Sequence, residues 1–200
     1  MHNQLIYDVA INKFMMKDSL PEEVWLGVYP RNRLPYHALC NLPKSNLCKM
    51  LVLNLDNEDE PGSHFIAIAR IKSVLYLYDS FGSELHYRLL EPGLSLLLER
   101  YKLKLWKNTV QHQSFLSNTC GYFCVWFLLE LYENRSTVTP SNISRVFLDQ
   151  LKQTTSRVNE MKALKSITNV IEQQEYQRMV RRIRLLLPDK KLEKSKKARK

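Results

Sequence analysis

His64-Phe65-Ile66-Ala67-Ile68-Ala69-Arg70-Ile71-Lys72-Ser73-Val74-Leu75-Tyr76-Leu77-Tyr78-Asp79-Ser80-Phe81-Gly82 is the stretch that decides the fold. His64 to Ile71 and Ser73 to Tyr78 are apolar runs rich in β-branched and aromatic residues, the side chains that suit a pleated, half-buried surface. Only Lys72-Ser73 interrupts them, so the pattern predicts two strands joined by a tight turn. Asp79-Ser80-Phe81-Gly82 ends the second strand with turn chemistry. A hairpin of this length returns His64 and Asp79 to the same edge of the sheet.

Upstream, Met50-Leu51-Val52-Leu53-Asn54-Leu55 is another strand signal, closed by the acidic loop Asp56 to Glu60 and by Pro61-Gly62. Three neighbouring strands with short links predict an antiparallel sheet. Residues 24–48 read as irregular, with Val24 to Tyr29 extended, and residues 3–16 carry apolar side chains at helical spacing. Asp18 to Glu23 reads as a turn. Downstream, Leu94 to Tyr101 reads as a helix after Pro92-Gly93, Leu103 to Val110 as a fourth strand, and residues 111–119 as a polar loop. Residues 120–132 are apolar on nearly every side, the mark of a buried helix. Residues 141–152 and 157–187 look helical. The class is α+β: a mainly antiparallel central sheet packed on a buried central helix, which carries Cys120 at its N-terminus, followed by C-terminal helices.

The chain has 200 residues, of which 44% are hydrophobic, enough for one domain with a sizeable core. No run approaches the ~20 apolar residues of a membrane span, and no partner membrane is expected. The N-terminus lacks a secretory pattern, so the four cysteines point to a reducing compartment and free thiols. The net charge of +10 is uneven. Residues 178–200 hold eleven Lys and Arg against Asp189 and Glu193, while the rest of the chain is nearly neutral. The chain therefore divides into a domain over residues 1–177 and a basic tail over 178–200. The tail predicts a polyanion partner or a nuclear address. Its candidate nucleic-acid contacts are Arg181, Arg182, Arg184, Lys190, Lys191, Lys194, Lys196 and Lys197.

Asn118-Thr119-Cys120-Gly121 lies where the polar loop meets the buried helix. A cysteine in the first turn sits near unpaired N–H groups and the positive end of the helix dipole, which favours a thiolate. Asn118 and Thr119 are candidate caps, and Gly121 would admit a substrate backbone. Cys124, one turn on, reads as a core residue. His64 at a strand end can serve as base, and Asp79 can hold its tautomer through the ring N–H, completing a nucleophile, base and orienter. Gln113, in the polar loop seven residues before Cys120, is a candidate oxyanion donor, with Gln111 competing for that role. Metal binding is disfavoured: Cys120 and Cys124 have no matching pair, and Cys40 and Cys48 are too widely spaced for a zinc site.

Taken in order, His64, Asp79, Gln113 and Cys120, with Trp25-Leu26-Gly27-Val28-Tyr29, Leu34-Pro35 and the Tyr78-Asp79-Ser80-Phe81-Gly82 stretch, resemble the adenovirus-type cysteine protease family over roughly residues 24–132. That family is related to proteases that remove ubiquitin-like modifiers. The resemblance implies a cysteine endopeptidase with Cys120 as nucleophile, His64 as base, Asp79 as orienter and Gln113 in the oxyanion hole. It also implies viral or virus-like-element capsid and core precursors as substrates, cut near small residues such as Gly. No cofactor is implied for the chemistry, although DNA serves as an activating surface in that family. A location in the virion and host nucleus follows. The family usually has Trp after the catalytic His, where this chain has Phe65. Adenovirus enzymes accept an activating peptide by disulfide at a cysteine between the acid and the Gln; this chain has no cysteine between Asp79 and Gln113, so that activation is not expected. Two other readings compete: a deconjugating protease for a ubiquitin-like modifier, and a DNA-binding structural protein without enzymatic activity.

Overall fold

The hairpin forms as its sequence predicts. Strand β3 (Phe65–Ile71) runs antiparallel to β4 (Val74–Tyr78), with Ile71 opposite Val74 and Ala67 opposite Tyr78. Lys72 takes the left-handed conformation the tight turn demands, at φ 53°. Strand β2 (Cys48–Asn54) pairs antiparallel with the other edge of β3, Asn54 facing Phe65. The computed structural model describes residues 11, 12, 15, 20–42, 47–60, 62–113 and 119–145. Most of the helices expected over residues 3–16 and 141–152, all of that over 157–187, and the basic tail lie outside them.

Two further strands complete a five-stranded sheet of order β1-β2-β3-β4-β5. Both are added in parallel: β1 (Trp25–Pro30) beside β2, and β5 (Lys104–Lys107) beside β4. The sheet is therefore mixed, antiparallel at its centre and parallel at both outer pairings. Parallel neighbours need crossover connections, and here these contain helices. Helix α1 (Tyr36–Cys40) lies between β1 and β2, within a stretch that reads as irregular because Pro30 and Pro35 break it. Helices α2 (Glu84–Arg88) and α3 (Glu91–Tyr101) lie between β4 and β5. The last of these starts earlier than its sequence suggests. Pro92 and Gly93 fall inside its first turn, where a proline forfeits no intrahelical hydrogen bond.

The strand alternation divides the core into two layers. Leu51 and Leu53, Ile66 and Ile68, and Leu75 and Leu77 share one face and pack with Leu39, Tyr87, Leu90, Leu94 and Leu97 from α1, α2, the residue preceding α3, and α3. Met50, Val52, Ala67, Ala69, Tyr76 and Tyr78 lie on the other face. That face receives helix α4 (Cys120–Glu133), whose Phe127 stacks on Tyr78 at 4.4 Å between ring centroids. Alanines at 67 and 69 leave room for the helix to lie against β3. Cys120, Phe123, Cys124, Phe127, Leu128 and Leu131 are all buried, as an all-round apolar helix predicts, and Tyr122 is partly exposed. Among the described residues no helix is long and apolar enough to cross a membrane.

Candidate active site

His64 immediately precedes β3 and Asp79 immediately follows β4, so the hairpin brings both to one end of the sheet. His64 Nε2 and Asp79 Oδ1 are 2.6 Å apart. Asp79 is completely buried and His64 is 5% exposed. The carboxylate is the acceptor, so Nε2 carries the proton. That leaves the other ring nitrogen for Cys120, whose thiol is near enough to be among the groups that raise the His64 pKa. Cys120 opens α4 and is itself buried. Carboxylate, imidazole and thiol thus come together from three separate places in the chain.

Opposing forces set the charges. Burial pushes the His64 pKa down, but the hydrogen bonds with Asp79 and Cys120 and the negative charges there outweigh it and raise it to about 9. Burial likewise pushes the Asp79 carboxyl up, but hydrogen bonds from His64 and His86 win and hold it well below the usual carboxylate range. Cys124, fully buried one turn into α4, has its thiol pushed far upward by burial, which fits the core role expected of it. All four cysteines are free thiols.

The turn after β4 organises the rest. Ser80 accepts the backbone N–H groups of His112 and Gln113 on its carbonyl, at 2.8 and 3.0 Å. Its hydroxyl donates to Gln113 Oε1. This bond fixes which way the Gln113 amide faces, with its oxygen on Ser80 and its NH2 as the donor end. Gln113 is completely buried, while the competing Gln111 is exposed and spends its amide on the Gln113 carbonyl at 2.7 Å. Thr119 occupies the N-cap position of α4 without a side-chain capping bond, and Asn118 lies outside the described residues.

One expectation needs correction. Gly121 is buried, and a Cβ there would come within 3.1 Å of Ile11 Cδ1 and 3.8 Å of Phe65 Cδ2. Its small size serves the packing of α4 inside the domain and not the approach of a substrate backbone.

Sequence reasoning missed three participants. His86 Nδ1 lies 2.7 Å from Asp79 Oδ2. Phe81 stacks on the His64 ring at 4.6 Å and 19°, supplying ring packing from a different position than the residue after His64. Asn108 clamps the Asp79 backbone, its Oδ1 accepting from the Asp79 N–H and its Nδ2 donating to the Asp79 carbonyl. Tyr87 in turn donates to Asn108. None of these has a local signature, because each is defined by a partner remote in sequence or by a turn conformation.

His64, Asp79 and His86 bring metal-type donor atoms within 4.8 Å of one another. Each imidazole nitrogen, however, already lies 2.6 or 2.7 Å from a carboxylate oxygen, the separation of a charge-assisted hydrogen bond. A metal among these atoms would have to break both bonds.

No protein-family model matches the chain, and no curated protein matches it in sequence. Among solved structures, it is similar to the central domain of the uncharacterized Lpg1148 protein from Legionella pneumophila. The identity is 13%, the match covers 82% of this chain and 97% of that one, and the TM-score is 0.50. Partial likenesses are found to the ASFV pS273R protease and to the Legionella pneumophila effector protein RavZ. The first has 15% identity over 57% of this chain and 41% of that one, at a TM-score of 0.36. The second has 13% identity over 60% and 42%, at 0.33. At this level of identity the likeness to the Lpg1148 domain is one of fold alone.

Proposed function

We propose that the chain is a cysteine endopeptidase. The observation that carries this reading is His64, buried and bonded to Asp79 at 2.6 Å, with a cysteine in the first turn of a buried helix among the groups that raise its pKa. A structural cysteine needs no imidazole, and a structural histidine needs no carboxylate facing a thiol.

In this mechanism His64 holds the proton of Cys120, and the Cys120 sulfur attacks the carbonyl carbon of the scissile peptide. The C–S bond forms as the carbonyl π electrons move to oxygen. That oxyanion is held by the backbone N–H of Cys120, unpaired within the helix at this position, and by the Gln113 amide. Collapse breaks the C–N bond, and the leaving amine takes its proton from His64. A thioester remains on Cys120. Water then adds to it, giving its proton to His64, and the released thiolate recovers the starting pair. Asp79 stays ionised throughout and keeps the His64 tautomer. The substrates we propose are capsid and core precursors of a virus or virus-like element, cut near small residues, with nucleic acid bound by the basic segment 178–200.

Cys120→Ala should abolish cleavage of co-expressed precursor proteins, read by mass spectrometry, while circular dichroism stays that of the wild type. Peptidase activity surviving in Cys120→Ala would sink the assignment.

A further inference from the structure

Asp79 is approached by more than one histidine. Its Oδ1 accepts from His64 Nε2 at 2.6 Å and from the Phe81 N–H at 2.9 Å. Its Oδ2 accepts from His86 Nδ1 at 2.7 Å and from the Ser83 N–H at 3.1 Å. The carboxylate has no exposed surface, so every lone pair must be satisfied by protein. His86 comes from a separate element, α2, and its side chain is 26% exposed. That helix is pinned from outside by Glu84, whose carboxylate bonds Lys107 Nζ at 2.6 Å. The centroids of His64, His86 and Phe81 are 4.9, 6.3 and 4.6 Å apart, a triangle and not a line. Phe81 therefore covers a face of the His64 ring, while His86 lies beside it, on the side shared with Asp79.

We propose that His86 is a positioning residue of this site: its Nδ1–H holds the second oxygen of Asp79 and thereby fixes the His64 imidazole in its orientation toward Cys120. The proposal rests on the reading of Cys120 and His64 as a working pair. Without His86, Oδ2 keeps only the longer bond from the Ser83 N–H at 3.1 Å, and the carboxylate has more freedom to turn about its Cβ–Cγ bond, carrying the His64 N–H with it. With the shorter His86 bond at 2.7 Å added, that motion is restrained, and the imidazole plane is set by Asp79 along its edge and by Phe81 over its face. His86 also keeps Asp79 charged. Burial drives this carboxyl toward its neutral form, and the His86 hydrogen bond is among the interactions that oppose it. The other ionisable groups around Asp79 are His64, Tyr78, Tyr87 and Cys124, with Cys120 beyond His64 and the Glu84–Lys107 pair outside. Of these, His64 alone also donates to the carboxylate side chain.

The test is the rate of iodoacetamide alkylation of Cys120 from about pH 5 to 9, read by peptide mass spectrometry, with the half-buried Cys40 as internal reference. H86F keeps a ring and removes the donor. H86N removes the ring but places an amide N–H where Nδ1 stood. In H86F, Cys120 should react roughly ten- to hundredfold more slowly near neutral pH, the usual scale for losing a partner that orients a functional histidine. Its rising limb should move to higher pH, because an Asp79 carboxylate that no longer holds the His64 N–H in line supports the His64 imidazolium less. H86N should recover most of the rate. Peptide cleavage should follow the same order in kcat with KM unchanged. If α2 is only docked by this bond, H86F will melt earlier yet keep the wild-type limb, and the proposal fails. It fails also if H86N is as impaired as H86F. A wild-type Cys120 no more reactive than Cys40 would remove the catalytic pair itself, a different failure from an active pair indifferent to His86.

Discussion

His64 links the chemistry to stability. Its pKa in the fold is about 9, against ~6.5 for a free imidazole, because Asp79 and Cys120 favour its charged form more strongly than burial opposes it. A group whose pKa rises on folding stabilises the native state fully below its unfolded value and loses that contribution as pH climbs through the folded value. The window is therefore ~6.5 to just above 9, and about 3 kcal/mol is at stake. Asp79 works the other way: its contribution is present above ~4 and is lost only in strong acid, so it does not confuse the window. Urea unfolding of the wild type should show stability falling across these pH values relative to His64→Gln, which cannot titrate. Parallel curves would mean that His64 is neutral in the fold. Much of this was legible in sequence, because His64 and Asp79 flank a hairpin whose turn is unmistakable, and Cys120 begins the most apolar stretch in the chain. His86 was not. Its partner is the second oxygen of a carboxylate, and the path of the chain from Phe81 to Glu84 decides whether it arrives there.

The turn after β4 is the element on which the site depends. Gly82 has φ +60°, and a Cβ there would meet the backbone of Thr109 and Val110 at 2.8–2.9 Å. This close approach sets the turn against the segment that carries Asn108, His112 and Gln113, so Asp79 and the amide share one support. Gly82→Ala should cost ~1–2 kcal/mol from the left-handed backbone alone, and more from a contact with backbone that has no rotamer to escape into. Thermal unfolding should show it, and cleavage should fall further than stability alone explains, since Gln113 shifts with its support. A Gly82→Ala protein with wild-type melting and turnover would detach the turn from the site. The antiparallel centre of the sheet was readable because adjacent strands in a hairpin share a turn. The outer strands were read as extended, but their parallel pairing was not. β1 is short and kinked by a register shift between Trp25 and Gly27, and β5 carries lysines at both ends. Their direction follows from helices that cross the sheet, which local patterning does not encode.

At the scale of the whole molecule the charge lies at one end of the chain. The sheet, the helices on its faces and the site all fall within the unit Met1–Leu164, and the eleven basic residues of 178–200 lie beyond it. The rest of the chain, nearly neutral, offers a polyanion little net attraction, so a basic segment this dense should dominate any sequence-independent binding of DNA. Each phosphate neutralised releases condensed counterions, and the salt dependence counts them. If about half of the basic groups engage, log K should fall against log salt with a slope of about −4 to −5. Removal of residues 188–200 takes away Lys190, Lys191, Lys194, Lys196, Lys197, Arg199 and Lys200, and leaves Arg178, Arg181, Arg182 and Arg184. The slope should then flatten by roughly half and affinity should drop at every salt concentration, for any duplex sequence. Cleavage of a short peptide without DNA should be retained, because the thiol, imidazole and carboxylate all come from the unit Met1–Leu164. Cleavage of a precursor bound to the same DNA should slow, because enzyme and substrate no longer share a surface. Fluorescence anisotropy with a labelled duplex across a salt series measures both quantities. An unchanged slope in the truncated protein would place the phosphate contacts elsewhere and leave 188–200 to a nuclear address. A loss of peptide cleavage on truncation would instead show that the tail supports the site itself.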